Sequence, residues 1–123
     1  MSWTFTSDAP IYLQAAEIIK LRILKGEYPP GGGIPSVRDL AQEAAVNPNT
    51  MQKALSLLES EELLTTQRTA GRKVTESADL IQLVRVKQAK RYVAHCKEQL
   101  AALGFSAEEA QKVLKKELFD DKE

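Results

Sequence analysis

Apolar residues recur along this chain in five helical stretches, and polar residues mark where each one starts and stops. In the first stretch Ile11, Ala15, Ile18, Ile19 and Ile23 share a face, which predicts a helix running to about Lys25. Ser7 or Asp8 is placed to cap it, with Pro10 in the first turn, where a missing backbone donor costs nothing. Gly26 is placed to end it. The run Pro29-Pro30-Gly31-Gly32-Gly33 reads as a stiff turn followed by a flexible one.

The next two stretches are short and closely joined. Ser36 stands three residues before Asp39, a capping box with Asp in the usual Glu place. Val37, Leu40, Ala41 and Ala44 follow at helical spacing, and Ala45-Val46 breaks the period. Asn47 suits an N-cap and Pro48 the first helical position. The second of these helices sets Met51, Ala54, Leu55 and Leu58 on one face and Asn49, Gln52, Lys53 and Ser56 on the other. Two short amphipathic helices joined so tightly share one core only by crossing steeply, which leaves the polar start of the second projecting outward. Leu64 to Arg68 and Arg72 to Thr75 then read as two strands, with Thr69-Ala70-Gly71 between them and Gly71 free to take a positive φ. This is the pattern of a helix-turn-helix followed by a two-stranded wing.

Beyond Val74 the pattern lengthens. Thr75 or Ser77 is placed to cap a helix from about Asp79 to Leu103, about 40 Å long at about 1.5 Å per residue. Val86, Ala89, Val93, Cys96, Leu100 and Leu103 alternate gaps of three and four, a coiled-coil-like seam. Leu80, Ile81, Leu83 and Val84 widen the apolar surface nearer the wing. Gly104 ends the helix, and Phe105, Ser106 and Glu109 form a staple and capping box for a last one. That helix is expected to bury Ala110, Val113, Leu114 and Leu118 and to fray over Phe119-Asp120-Asp121-Lys122-Glu123. The expected fold is therefore mainly α with a small β-wing. A winged helix-turn-helix domain occupies residues 1–76 and a helical hairpin residues 77–123.

Composition narrows the function. Lys+Arg and Asp+Glu both total 17, so nucleic-acid binding needs a focused basic face rather than a basic chain. Arg68, Arg72 and Lys73 flank the wing turn, and no acid lies between Glu62 and Glu76. Trp3 and Phe5 are expected to pack on the domain or on a second subunit. No secretory leader or membrane-spanning run is visible, and one cysteine excludes an internal disulfide, so the expected location is the cytoplasm. The three glycines lack the Gly-Lys-Ser/Thr of a phosphate-binding loop. His95 is the sole histidine and Cys96 its neighbour, but adjacent helical residues point about 100° apart and make no nucleophile–base pair. No catalytic residue, metal site or cofactor is expected.

Several motifs resemble the GntR family of bacterial transcription regulators. They are Pro10-Ile11-Tyr12 with Gln14, Gly26-Glu27-Tyr28-Pro29-Pro30-Gly31, Pro35-Ser36-Val37-Arg38-Asp39-Leu40-Ala41, Val46-Asn47-Pro48-Asn49-Thr50, and Gly71. The resemblance covers about residues 9–75, and the short tail resembles the YtrA subgroup, whose members add two helices for dimerisation. It implies DNA contact by Ser36, Arg38, Asn47, Pro48, Asn49, Thr50, Gln52 and Lys53, and in the wing by Arg68, Gly71, Arg72 and Lys73. Gln52 stands where many relatives carry arginine. Glutamine pairs with adenine and arginine with guanine, so an operator that differs there is expected. Ala45 and Glu62 replace common glycines, which implies strain if either φ is positive. Gly32-Gly33-Ile34-Pro35 replaces Gly-Asp-x-Leu-Pro, which implies a looser loop.

The hairpin offers more apolar surface than it can hide alone. A homodimer interface is expected at Leu80, Ile81, Val84, Val86, Ala89, Val93, Cys96, Leu100, Leu103, Val113 and Leu114, the competing arrangement being a monomer with its tail folded back. The stretch after residue 76 is too short for the enclosed effector domain of larger relatives. An unidentified small-molecule effector would be expected in the dimer groove or between the hairpin and the winged domain, with Tyr92 and His95 as candidate contacts. The expected partner is double-stranded operator DNA, and the expected role a repressor, which the subgroup resemblance links to transporter operons. The alternative is a winged-helix module that binds protein. Convergence of Arg38, Lys53, Arg68, Arg72 and Lys73 favours DNA; interruption of that face by Glu27, Glu43 or Glu61 favours protein.

Overall fold

The computed structural model describes residues 3–68 and 71–119. Its elements are α1 (Ile11–Leu24), α2 (Val37–Ala44), α3 (Pro48–Ser60), β1 (Leu64–Gln67), β2 (Gly71–Val74), α4 (Ala78–Ala102) and α5 (Ala107–Phe119). Thr69 and Ala70 of the wing turn, and the tail 120–123 with its Asp120-Asp121 pair, lie outside the described residues.

The chain forms two compact units, Met1–Val84 and Arg85–Glu123, and the division falls inside α4. In the first unit α1, α2 and α3 close over a core of Ile19, Ile23, Leu40, Met51, Leu55 and Leu58, all essentially inaccessible to solvent. Leu63, Leu64 and Val74 extend this core under the antiparallel wing, where Leu64 pairs with Val74 and Gln67 with Gly71. Trp3 and Phe5 pack against the same core. Ile81 also belongs to it, at 8% exposure, and Val84 packs beside it. Ile81, expected between two copies, is thus buried within its own chain. The first two turns of α4 complete the winged unit, so this unit extends past residue 76.

Local chemistry sets the helix boundaries. Ser36 Oγ accepts from Asp39 N (3.1 Å), Asn47 Oδ1 from Asn49 N (2.7 Å) and Ser77 Oγ from Leu80 N (3.0 Å). Ser106 and Glu109 make the reciprocal capping box, at 3.1 and 2.9 Å. The start of α1 departs from expectation: neither Ser7 nor Asp8 caps it, and Pro10 precedes the helix rather than entering it. The Gln14 side chain donates to the Thr6 and Ala9 carbonyls and accepts from Thr6 N, folding the leader onto the first turn.

Four helices, α1 to α4, end in one hydrogen-bonded form. After α1, Glu27 N donates to Arg22 O and Gly26 N to Ile23 O; after α4, Phe105 N donates to Leu100 O and Gly104 N to Ala101 O. After α3, Leu63 N donates to Leu58 O and Glu62 N to Glu59 O, and here the left-handed residue is Glu62, with φ 68°. The α2–α3 turn likewise places Ala45 at φ 59°, with Val46 N bonded to Ala41 O. Positive φ at Ala45 and Glu62 agrees with the expected strain.

The glycine run is not a loose loop. Gly31 N donates to Val74 O (3.1 Å) and Thr75 O (3.2 Å), Val74 N to Gly32 O (2.8 Å), and Ile34 N to Arg72 O (3.2 Å). Gly33 bridges Lys73, so this segment straps onto the outer edge of β2. A Cβ on Gly32 would lie 3.1 Å from Pro29 O, a contact that requires the turn to shift.

In the second unit α4 and α5 bury Ala110, while Cys96, Leu100 and Leu114 are half-buried. Val113 and Leu118, expected inside, are exposed, because two helices offer each other one face only. No helix among the described residues is long and apolar enough to cross a membrane.

Candidate nucleic-acid interface

The capping geometry dictates which polar groups face outward at the helix-turn-helix. Asn47 commits its side-chain oxygen to the α3 start, and Pro48 takes the first helical position. Asn49 and Gln52 are then exposed and Thr50 half-buried. Gln52 Nε2 approaches Ser56 Oγ at 3.5 Å, too long to hold the amide firmly. Lys53 lies with its ammonium 4.4 Å from the Tyr12 ring centre, where the ring face stabilises a cation without neutralising it.

Arg38, the second residue of α2, is exposed and makes no ion pair among the described residues. The competing role for this arginine, a surface ion pair with Asp39 or Glu43, is not formed. Glu43 Oε2 accepts from Arg22 Nη2 at 2.6 Å and from Trp3 Nε1 at 2.9 Å. Glu61 pairs with Lys20 (3.2 Å) and Glu27 with Lys25 (3.5 Å), so the three acids that could have discouraged DNA each answer a cation of their own chain.

The wing separates its cations. Gly71 takes φ +75° at the turn. Arg68 is exposed, with no ion pair among the described residues, and Lys73 meets the exposed Glu76 at 3.0 Å. Arg72 is different. Its side chain is held on Glu59 of α3, with Nε 3.3 Å from Oε2 and Nη2 3.4 Å from Oε1. This removes Arg72 from the outward-facing set that the sequence suggested.

The joint between α1 and α2 holds a cluster that sequence reading overlooked. Arg22 is 7% exposed. Besides Glu43, it donates to Tyr28 Oη (2.7 Å), and its guanidinium lies 4.9 Å from the Trp3 ring centre. Burial is the largest single influence on Arg22 and disfavours its charge, but bonds to Glu43 and Tyr28 outweigh it and hold the group firmly charged. The Glu43 carboxyl is held below the ordinary glutamate range by its bonds from Arg22 and then Trp3. The available signal was spacing: Arg22 falls on the apolar face with Ala15 and Ile19.

Of the residues expected between copies, Val86, Ala89, Val93, Leu103 and Val113 are exposed, Val93 at 55% and Leu103 at 74%. A shallow groove lined by Val86, Ala89, Val93 and Ala94, with Lys90 and Lys97 at its sides, runs along α4. No group of three or more His, Cys, Asp or Glu side chains among the described residues could hold a metal ion.

Two packed helices joined by a tight turn, an exposed polar start on the second, an exposed arginine with no ion pair on the first and a two-stranded hairpin after them define a winged helix-turn-helix unit of the kind that presents α3 to a DNA groove. The chain belongs to the GntR family: the family described as bacterial regulatory proteins, gntR family, matches residues 11–74. It is 35% identical over 105 residues to the HTH-type transcriptional regulator YhcF of Bacillus subtilis, covering 85% of this chain and 87% of that one. It is 43% identical over 72 residues to the HTH-type transcriptional repressor YtrA of the same organism, covering 58% of this chain and 55% of that repressor. Among solved structures it is similar to a GntR family transcriptional regulator from Listeria monocytogenes (TM-score 0.83, 33% identity, 91% of this chain and 98% of that one). It is also similar to the DNA-binding domain of AraR in complex with operator ORX1 (TM-score 0.55, 28% identity, 61% of this chain and 95% of that one). These relatives are transcription regulators, not enzymes.

Proposed function

We propose that this protein is a homodimeric transcription repressor that binds a pseudo-palindromic operator, with the start of α3 in the major groove and the wing in the adjacent minor groove. The observation that carries the reading is the contrast in pairing around the helix-turn-helix. Glu27, Glu43 and Glu61 are bound to cations of the same chain, while Arg38, Asn49, Gln52 and Arg68 are left exposed. An exposed guanidinium with no ion pair suits a phosphate or a guanine edge. The AraR operator complex supports operator binding, and the YtrA repressor supports the sign of regulation. The exposed apolar residues of α4 and α5 support pairing of two copies, which matches a two-fold protein to a two-fold site.

The test is binding to the protein's own upstream promoter DNA and to shuffled DNA across a salt series. Sequence-preferring binding is expected, with log K falling by about 0.9 for each phosphate neutralised per unit of log salt. Arg38→Ala is expected to lose about 10- to 100-fold in operator affinity, the scale of one arginine contact. Weak binding indifferent to sequence and to Arg38 would point instead to a protein-binding module. A monomer by light scattering at micromolar concentration would refute the dimer.

A further inference from the structure

Arg72 joins three parts of the winged unit. Its side chain is 14% exposed and lies against Glu59 near the end of α3. Glu59 also accepts a hydrogen bond from Thr66 Oγ1, and Thr66 faces Arg72 across the β-ladder. The Arg72 carbonyl accepts from Ile34 N, which ties the glycine strap to the same residue. Arg72 Nε is buried and close enough for an ion pair, but not aligned for a hydrogen bond. The directional part of the contact is the Nη2 hydrogen bond to Glu59 Oε1, and Nε adds charge attraction alone.

We infer that Arg72 is a positioning residue rather than a DNA contact: the Glu59–Arg72–Thr66 bracket sets the angle between the wing and α3. That angle determines how far the groove entered by the wing lies from the base pairs read by α3. The inference rests on the operator-binding reading above and deepens it. A cation at the hairpin tip touches phosphate and carries its share of the salt dependence. A guanidinium already facing a carboxylate carries none, yet its loss tilts the wing and weakens every contact the wing makes.

The two roles separate in a charge swap. Operator binding is measured against salt for wild type, Arg72→Met, Arg72→Glu, Glu59→Arg and the Glu59→Arg/Arg72→Glu double variant, with thermal unfolding of each as a control. Each single variant is expected to weaken operator binding about tenfold, the scale of one misplaced base contact. Arg72→Met should keep the wild-type slope of log K against log salt, and the swap should recover most of the affinity. A slope smaller by about 0.9 in Arg72→Met overturns the inference and makes Arg72 a phosphate contact. So does a swap that binds as poorly as Arg72→Glu alone. Should the charge reversals unfold, Glu59→Gln preserves the shape and carries the comparison. Weaker operator binding with an unchanged slope supports the bracket, and wild-type affinity overturns it. Arg38→Ala run alongside keeps the two readings distinct. Its failure to weaken binding sinks the operator-binding reading, whereas its collapse beside an unrescued swap sinks the bracket alone.

Discussion

The two sides of the helix-turn-helix use the same residue types in opposite ways. At the α1–α2 joint Arg22 is buried, and its guanidinium is shared among Glu43, Tyr28 and the Trp3 ring. At the second position of α2, Arg38 is exposed, with no ion pair among the described residues. Burying a guanidinium is tolerable only when its donors are matched, so the first arginine has to be satisfied by the fold. An exposed one is satisfied by water and stays available. The difference teaches how to sort charges in such a domain: those the fold has consumed hold it together, and those it has left alone await a partner.

Substitution at the joint should break the comparison most strongly. Arg22→Leu leaves Glu43 without its cation and the Tyr28 hydroxyl without its donor and is expected to cost about 3 kcal/mol of stability in urea unfolding, whereas Arg38→Ala should stay within about 0.5 kcal/mol. A similar loss in both would erase the distinction.

A smaller effect follows from pH. The Glu43 carboxyl is depressed by Arg22 and then by Trp3, so its folded pKa lies below the ordinary value of 4.5. A depressed carboxyl adds stability that is fully present above the unfolded value and is lost as pH falls through the folded one. Glu43→Gln should therefore be less stable than wild type at pH 7, with the gap closing below about pH 4 in denaturation curves. A gap that persists into acid would assign its effect to packing.

The smallest change expected is a gain. Glu62 sits at φ 68° in a helix end where α1 and α4 use glycine. Glu62→Gly relieves a left-handed strain of about 1–2 kcal/mol and gives back part of it in chain entropy, leaving a net gain of about 1 kcal/mol or less. Thermal unfolding reads it directly; an unchanged or lowered midpoint would mean that the Glu62 side chain contributes something the backbone argument omits.

What the sequence made legible was local. Ser36, Asn47, Ser77 and the Ser106–Glu109 box were readable because a cap bonds two or three residues along the chain. The core faces of α2 and α3 were readable from periodicity, whereas on α1 only Ala15, Ile19 and Ile23 of the expected face are buried, Ile11 is exposed, and Ala16 and Leu24 are buried in addition. The unread features join residues far apart. Arg22 looks like a surface charge until Glu43, 21 residues on, is brought against it. Arg72 looks like part of a cationic tip until Glu59, 13 residues back, is folded beneath it. Three glycines suggest slack, and only the edge of β2 reveals that their backbone is pinned by hydrogen bonds to Val74 and Thr75 and by the bridge to Lys73. Ile81 was assigned to an interface between copies because apolar spacing on α4 does not say which neighbour fills it.

Trp3 gives the molecule an intrinsic optical reporter. It is the sole tryptophan, with its indole N–H on Glu43 and its ring face under the Arg22 guanidinium. Indole emission responds to a nearby cation and to loss of a hydrogen bond, so fluorescence from the unlabelled protein follows the seating of α2 on α1. Any ligand, nucleic acid or small molecule, that shifts α2 against α1 would announce itself in that one signal. A ligand that leaves the two helices seated would be optically silent.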